Sequence, residues 1–318
     1  MIKVAAFVLA LMALAANGYA AKTLFTNPVL EAKIEALFAT DRDLAEVRAT
    51  LDQIARPDFT AKVTLKQIDD LMTELKALLP PNPSTSDKLA TLKKFIYVSG
   101  PWNDNRPFAY DLADPTGKEM RNRILSSYIT TRSGNCVSMP TLFVILGNRI
   151  GLKLTMAVAP SHEFVKFTDD NGREWNIEAT SGAGFARDVK YRTDLPMTDL
   201  SVTKGTYMRA LSHEETVALM AVVVVEQLLH DKKPKEAVVV IGVLLKHYPN
   251  SAELLILQAG AYAMVLDQDI SPFYRYNNEM PPDVQAYADA MYQGNQIAYN
   301  EALELGYSEN QGKPGVQP

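Results

Sequence analysis

The chain has 318 residues, 47% of them hydrophobic and 22% charged, with a formal net charge of −5 and a single cysteine. This is the make-up of a globular chain with room for two modest domains, and its mild acidity argues against nucleic acid or an anionic membrane as the main partner. One cysteine excludes an internal disulfide.

Lys3 precedes an uninterrupted apolar run from Val4 to Ala16, and the small residues around Ala20 and Ala21 follow it. This reads as a signal peptide cut after Ala20. The run is well short of the roughly 20 residues that span a bilayer, so no stable membrane insertion is expected. No cysteine follows it to accept a lipid. Removal of Lys3 with the leader takes the net charge to about −6, and the expected address is periplasmic or secreted. In an oxidising compartment a lone thiol calls for a reason: catalysis, intermolecular pairing or deep burial.

Residues 21–98 read as a helical segment. Leu30, Ile34 and Leu37 form one stripe, and Leu44, Val47, Leu51 and Ile54 form a second that Pro57 ends. Thr64 and Gln67 predict a capping box for a helix carrying Ile68, Leu71, Met72 and Leu75. The proline-rich stretch 80–86 breaks the pattern before a short helix through Leu89, Leu92 and Ile96. Residues 99–114 are too rich in Pro, Asn and Asp for regular structure, and such loops often border sites. One helix is predicted from about Lys118 to Ile129.

Ser133-Gly134-Asn135-Cys136 follows, with an apolar helix behind it through Leu142, Phe143, Ile145 and Leu146 to Gly151. A strand is expected at 154–158, then a hairpin with arms Glu163 to Phe167 and Arg173 to Ala179. After about Thr206 the chain turns helical again, at 216–229, 234–248, 252–266 and 284–305. Ala237, Pro249 and the turn 248–253 stand where a tetratricopeptide unit would have them, which suggests a few stacked helices with partial repeat character.

The chemistry is concentrated in the middle. Cys136 opens a helix, where the dipole favours a thiolate and the Cys136 N–H points at the space an oxyanion would occupy. His162 is the one histidine on the hairpin. If Asp170-Asn171-Gly172 is a three-residue loop with glycine left-handed, facing residues sum to 342. His162, Phe164, Glu178 and Thr180 then share a face, with Glu178 diagonal to His162 at about 7 Å between β-carbons, close enough to hold the imidazole. A two-residue loop would turn Glu178 away. Asn176 lies on the same face and would serve only in a Cys-His-Asn arrangement. Asn103 and Asn105 are candidate side-chain donors for the oxyanion, or turn formers. His213, His230 and His247 recur without a ligand motif, so neither metal nor other cofactor is expected.

The order Cys, His, acid resembles the transglutaminase-like superfamily of papain-type cysteine enzymes, whose three blocks are similar to 133–136 with its helix, Ser161-His162, and Trp175 to Thr180. The resemblance spans about 99–206 and its bacterial branch carries helical repeats behind the domain. It implies an α+β fold with helices packed on a small antiparallel sheet, the N-terminal helical segment before it and a TPR-like region over 207–318. By the same resemblance Cys136 is the nucleophile, His162 base and acid, and Glu178 the orienting carboxylate, although the family more often has Asp-Pro where Glu178-Ala179 stands.

Two function classes follow. One is a thiol enzyme that cleaves or transfers an amide or peptide-like acyl group through a thioester, on a protein or peptide substrate. The other is an inactive scaffold whose C-terminal helices hold a protein partner, with Val222 to Val225 packed between helices.

Overall fold

The computed structural model describes residues 24–39, 42–195, 197–275 and 280–309. The predicted leader and its cleavage point at Ala20 lie outside the described residues. The described chain divides into two compact units, one of residues 24–37 with 224–307 and one of residues 38–223 with 308–309.

The unit of 38–223 holds the sheet. Helix α2 (Leu44–Ala55) is capped by Asp43, whose carboxylate accepts the Ala45 N–H at 2.6 Å. Helix α3 spans Ala61–Ala77 and begins a turn earlier than expected. Thr64 therefore lies inside it as a buried residue and makes no capping box. The start is satisfied instead by Gln53 of α2, whose Oε1 accepts the Ala61 N–H at 2.9 Å. The true capping box stands at α4 (Thr85–Tyr97), where Ser84 and Asp87 bond reciprocally.

The single helix expected over 118–129 is two, α5 (Met120–Arg123) and α6 (Leu125–Thr131), divided at Ile124 in an extended conformation. The cause is tertiary. Asp52 of α2 accepts the N–H groups of Leu125 and Ser126 at 2.8 and 3.3 Å, so a carboxylate from another helix caps α6. Arg48, fully buried, pairs with Asp52 at 2.8 Å and donates to the Arg123 and Met220 carbonyls. The break gains partners that a continuous helix would deny it.

Helix α7 (Ser138–Arg149) is buried along its first ten residues and packs on the sheet and on α4 and α6. Its apolar run is continuous because neighbours surround it. The sheet is antiparallel, ordered β3 (Lys153–Ala159), β4 (His162–Thr168), β5 (Glu174–Glu178), β6 (Gly184–Ala186), and β6 was not expected from the sequence. A parallel pair, β1 (Ala109–Tyr110) with β2 (Ser133–Gly134), lies apart from it. The outer edge of β3 is covered by an irregular segment whose Met208 and Leu211 N–H groups donate to Val158 and Met156 at 2.9 Å. Short helices α8 (Asp188–Asp194) and α9 (Asp199–Thr203) follow β6.

In helix α10 (His213–His230) Val222 to Val225 are all buried. The other unit packs α1 (Pro28–Glu35) on α11 (Pro234–His247), and α12 (Ala252–Asp269) on α11 and α14 (Pro282–Glu304), with short α13 (Ser271–Arg275) after α12. Glu35 binds His247 at 2.9 Å, and Ser251 caps α12 through the Leu254 N–H. No helix among the described residues is long and apolar enough to cross a membrane.

Replacing Asp52 with Ala leaves Arg48 buried without its counter-charge and α6 without its cap. Urea unfolding should show a loss of about 3–5 kcal/mol, where an ordinary surface Asp→Ala change costs little.

Candidate active site

The hairpin β4–β5 has the register that an odd loop requires. Val165 pairs with Ile177, Lys166 with Asn176, Phe167 with Trp175 and Thr168 with Glu174. Asp169 N–H donates to Arg173 O at 3.0 Å, and Gly172 N–H to Asp169 O at the same length. Gly172 sits at φ +76°, the left-handed conformation that costs other residues about 1 kcal/mol or more. Ala159 and His162 pair across a two-residue turn, so His162 is the first residue of β4.

This register brings the imidazole and the carboxylate together. His162 Nε2 lies 2.8 Å from Glu178 Oε2, and the two side chains are only 17% and 15% exposed. Cys136 acts electrostatically on the same ring. The structure thus joins Cys136, His162 and Glu178 in one row.

Thr180 does not continue the strand opposite His162. β5 ends at Glu178 and a 3₁₀ turn, Ala179–Ser181, follows. Glu178 Oε1 accepts both the N–H and the hydroxyl of Thr180, at 3.1 and 2.5 Å. Tyr191 of α8 adds its hydroxyl to Glu178 Oε2 at 3.1 Å and stacks on Phe164 at 4.3 Å between ring centroids. Tyr97 of α4 fixes the Ala179 carbonyl at 2.6 Å. The carboxylate therefore has every direction of approach occupied except the one His162 uses.

Electrostatics follow from these contacts. Burial works against a charged imidazole, but the hydrogen bond to Glu178 and the charge of Glu178 and Cys136 outweigh it, raising His162 from 6.5 to about 9. Burial likewise works against the Glu178 carboxylate, and His162 and Thr180 overcome it and hold the group below its usual range.

Cys136 is half-buried, two residues ahead of α7. Asn135 builds the turn: its Oδ1 accepts the Val137 and Ser138 N–H groups at 2.9 and 3.3 Å, and its carbonyl accepts Met139 N–H at 3.0 Å. Gly134 is required by crowding, because a β-carbon there would lie 2.4 Å from Ser138 Oγ and 2.5 Å from the Tyr128 ring. Pro140 falls within the first turn of the helix, as expected.

The three asparagines lie outside this row. Asn103 is buried and fully engaged at the end of α4, accepting from Gly100 N–H and donating to the Phe95 and Val98 carbonyls. Asn105 is an exposed left-handed turn residue at φ +56°. Asn176 donates to Ala186 O and to Asp188 at 2.6 Å, tying β5 to β6 and the start of α8. Asn103 and Asn105 stand in a turn, and Asn176 ties strands together. Tyr191 and Tyr97 escaped the sequence, since neither sits in a periodic stripe or a motif.

A nucleophile candidate at a helix start, with an imidazole and an acid on adjacent strands, is a papain-type arrangement. The sequence matches the transglutaminase-like superfamily over residues 62–220, half of the chain. The chain belongs to that superfamily. The match takes in α3 and α4 as well as the sheet and the row of three residues, so this transglutaminase-like region has a papain-like cysteine enzyme fold. No curated protein matches the chain significantly.

Glu178→Gln removes the charge beside His162. The His162 pKa should fall by about one unit or more, read by NMR titration of the ring. The sign extends to stability: a folded value near 9 over an ordinary 6.5 favours the native state below pH 6.5, and that gain is lost as pH rises through 9. Urea midpoints measured across this window should decline in the wild type and lose that slope in His162→Ala.

Proposed function

We propose that the protein is an exported cysteine enzyme that forms a thioester from an amide or peptide-like bond and passes the acyl group to water or to an amine. The observation that carries the reading is the imidazole of His162, held by Glu178 at 2.8 Å and subject to the charge of Cys136. Lys3 and the apolar run after it support the address.

Each residue has a task. Cys136 supplies the sulfur that adds to the carbonyl carbon. The N-terminal end of α7 and the protonated His162 favour the anionic form of that sulfur. His162 then gives its proton to the departing amine, and in the second half takes one from the incoming water or amine. Glu178 holds the ring orientation and stabilises the imidazolium, and Tyr191 and Thr180 hold Glu178. A glutamate serves where an aspartate is more usual because its extra methylene spans the diagonal between the strands. Protein or peptide substrates follow from the superfamily.

Iodoacetamide tests the pairing. A free cysteine thiol is roughly 0.3% ionised at pH 6 and reacts slowly there. Cys136 should label at least about tenfold faster than free cysteine at that pH, and His162→Ala should abolish the advantage. Equal labelling of wild type and His162→Ala at every pH would refute the reading.

A further inference from the structure

One more polar side chain stands on the strand paired with the turn of Cys136. Tyr110 ends β1 and stands opposite Gly134 in β2, two residues before the thiol. The next residue continues the clamp, Asp111 N–H donating to Gly134 O at 2.8 Å. The loop after β1 is thereby fixed to the turn that carries Cys136. Tyr110 is half-buried, and its hydroxyl donates to the Pro115 carbonyl across 3.2 Å, a long bond at the surface. Burial, and after it the negative charge of Cys136, push the phenol up. It is therefore an O–H donor throughout the neutral range, in the field of the sulfur.

A tetrahedral intermediate at Cys136 needs donors aimed at its oxygen, commonly two or more. The Cys136 N–H is available, since no acceptor among the described residues takes it. The side chain of Asn103 is spent elsewhere, and Asn105 serves the turn.

We propose that the Tyr110 hydroxyl is the second oxyanion donor, beside the Cys136 N–H, exchanging its long bond to Pro115 for one to the developing alkoxide. The assignment rests on the thiol-enzyme reading above. As the sulfur adds, a C–S bond forms and the carbonyl π pair moves onto oxygen, where the O–H and N–H bind it. Tyr110 keeps its proton throughout. On collapse the pair returns, the C–N bond breaks, and the amine leaves with the proton of His162.

Two reactions of the same thiol on the full chain separate this role from a structural one. Alkylation by iodoacetamide passes through no oxyanion, whereas acylation by p-nitrophenyl acetate does. In Tyr110→Phe, alkylation should stay within about twofold of wild type while acylation falls on the order of 10²-fold. The retained alkylation rate, with its dependence on His162, shows that the variant is folded. Leu112→Ala, in the same loop with a side chain 84% exposed, should acylate at the wild-type rate. Unchanged acylation in Tyr110→Phe overturns the proposal, and so does a parallel fall in both reactions, which marks a residue that only positions the sulfur. A wild-type protein whose Cys136 is never acylated, and alkylates without regard to His162, refutes the thiol-enzyme reading and the role of Tyr110 together.

Discussion

Side chains alternate across a sheet, so the length of a hairpin loop decides which of them share a face. Three residues between Asp169 and Arg173 place His162 and Glu178 on one side; two would have placed them on opposite sides. Much else depends on that parity. With Glu178 facing the imidazole, Tyr191 can reach the carboxylate from α8, Phe164 becomes the floor on which Tyr191 stacks, and the turn after β5 folds back onto Glu178 through Thr180. Lys166 and Asn176 pair in the same register, and Asn176 reaches on to the start of α8. The geometry near the sulfur is thus governed in part by a glycine at the far end of the hairpin.

The cysteine arrives by a separate route. Its turn is shaped by Asn135, crowded by Ser138 and Tyr128 at Gly134, and backed by β1. Tyr128 belongs to α6, whose start is capped by Asp52 and Arg48. Helices far upstream of the cysteine therefore bear on its position, in keeping with the reach of the superfamily match back to residue 62. A fully buried Arg–Asp pair is a poor way to gain net stability, but it specifies where a helix must stop.

What the sequence revealed follows the range of the forces involved. The hairpin register was legible because loop length and period-two alternation are local, and the C-terminal helices because their apolar stripes are long. The break at Ile124 was illegible, since its cause is a carboxylate more than seventy positions away. Thr64 misled for a related reason: it fits the local signature of a cap, but Gln53 had already satisfied the helix start one turn earlier. Asn103 has the chemistry of an oxyanion donor, yet its side chain is engaged by the backbone of its own turn. Cys136, His162 and Glu178 stand out in the sequence because their order in the chain carries the family's pattern, while Tyr191 has no signature beyond its place in space.

The covered margin of the sheet has a bearing on how such a molecule behaves at high concentration. Open strand edges recruit other chains and so favour fibril growth. Here the segment through Met208 and Leu211 occupies one margin, and the strand at the other, Gly184–Ala186, is three residues long. Neither is a template of useful length for another chain, so self-association through strand pairing is disfavoured at both sides of the sheet.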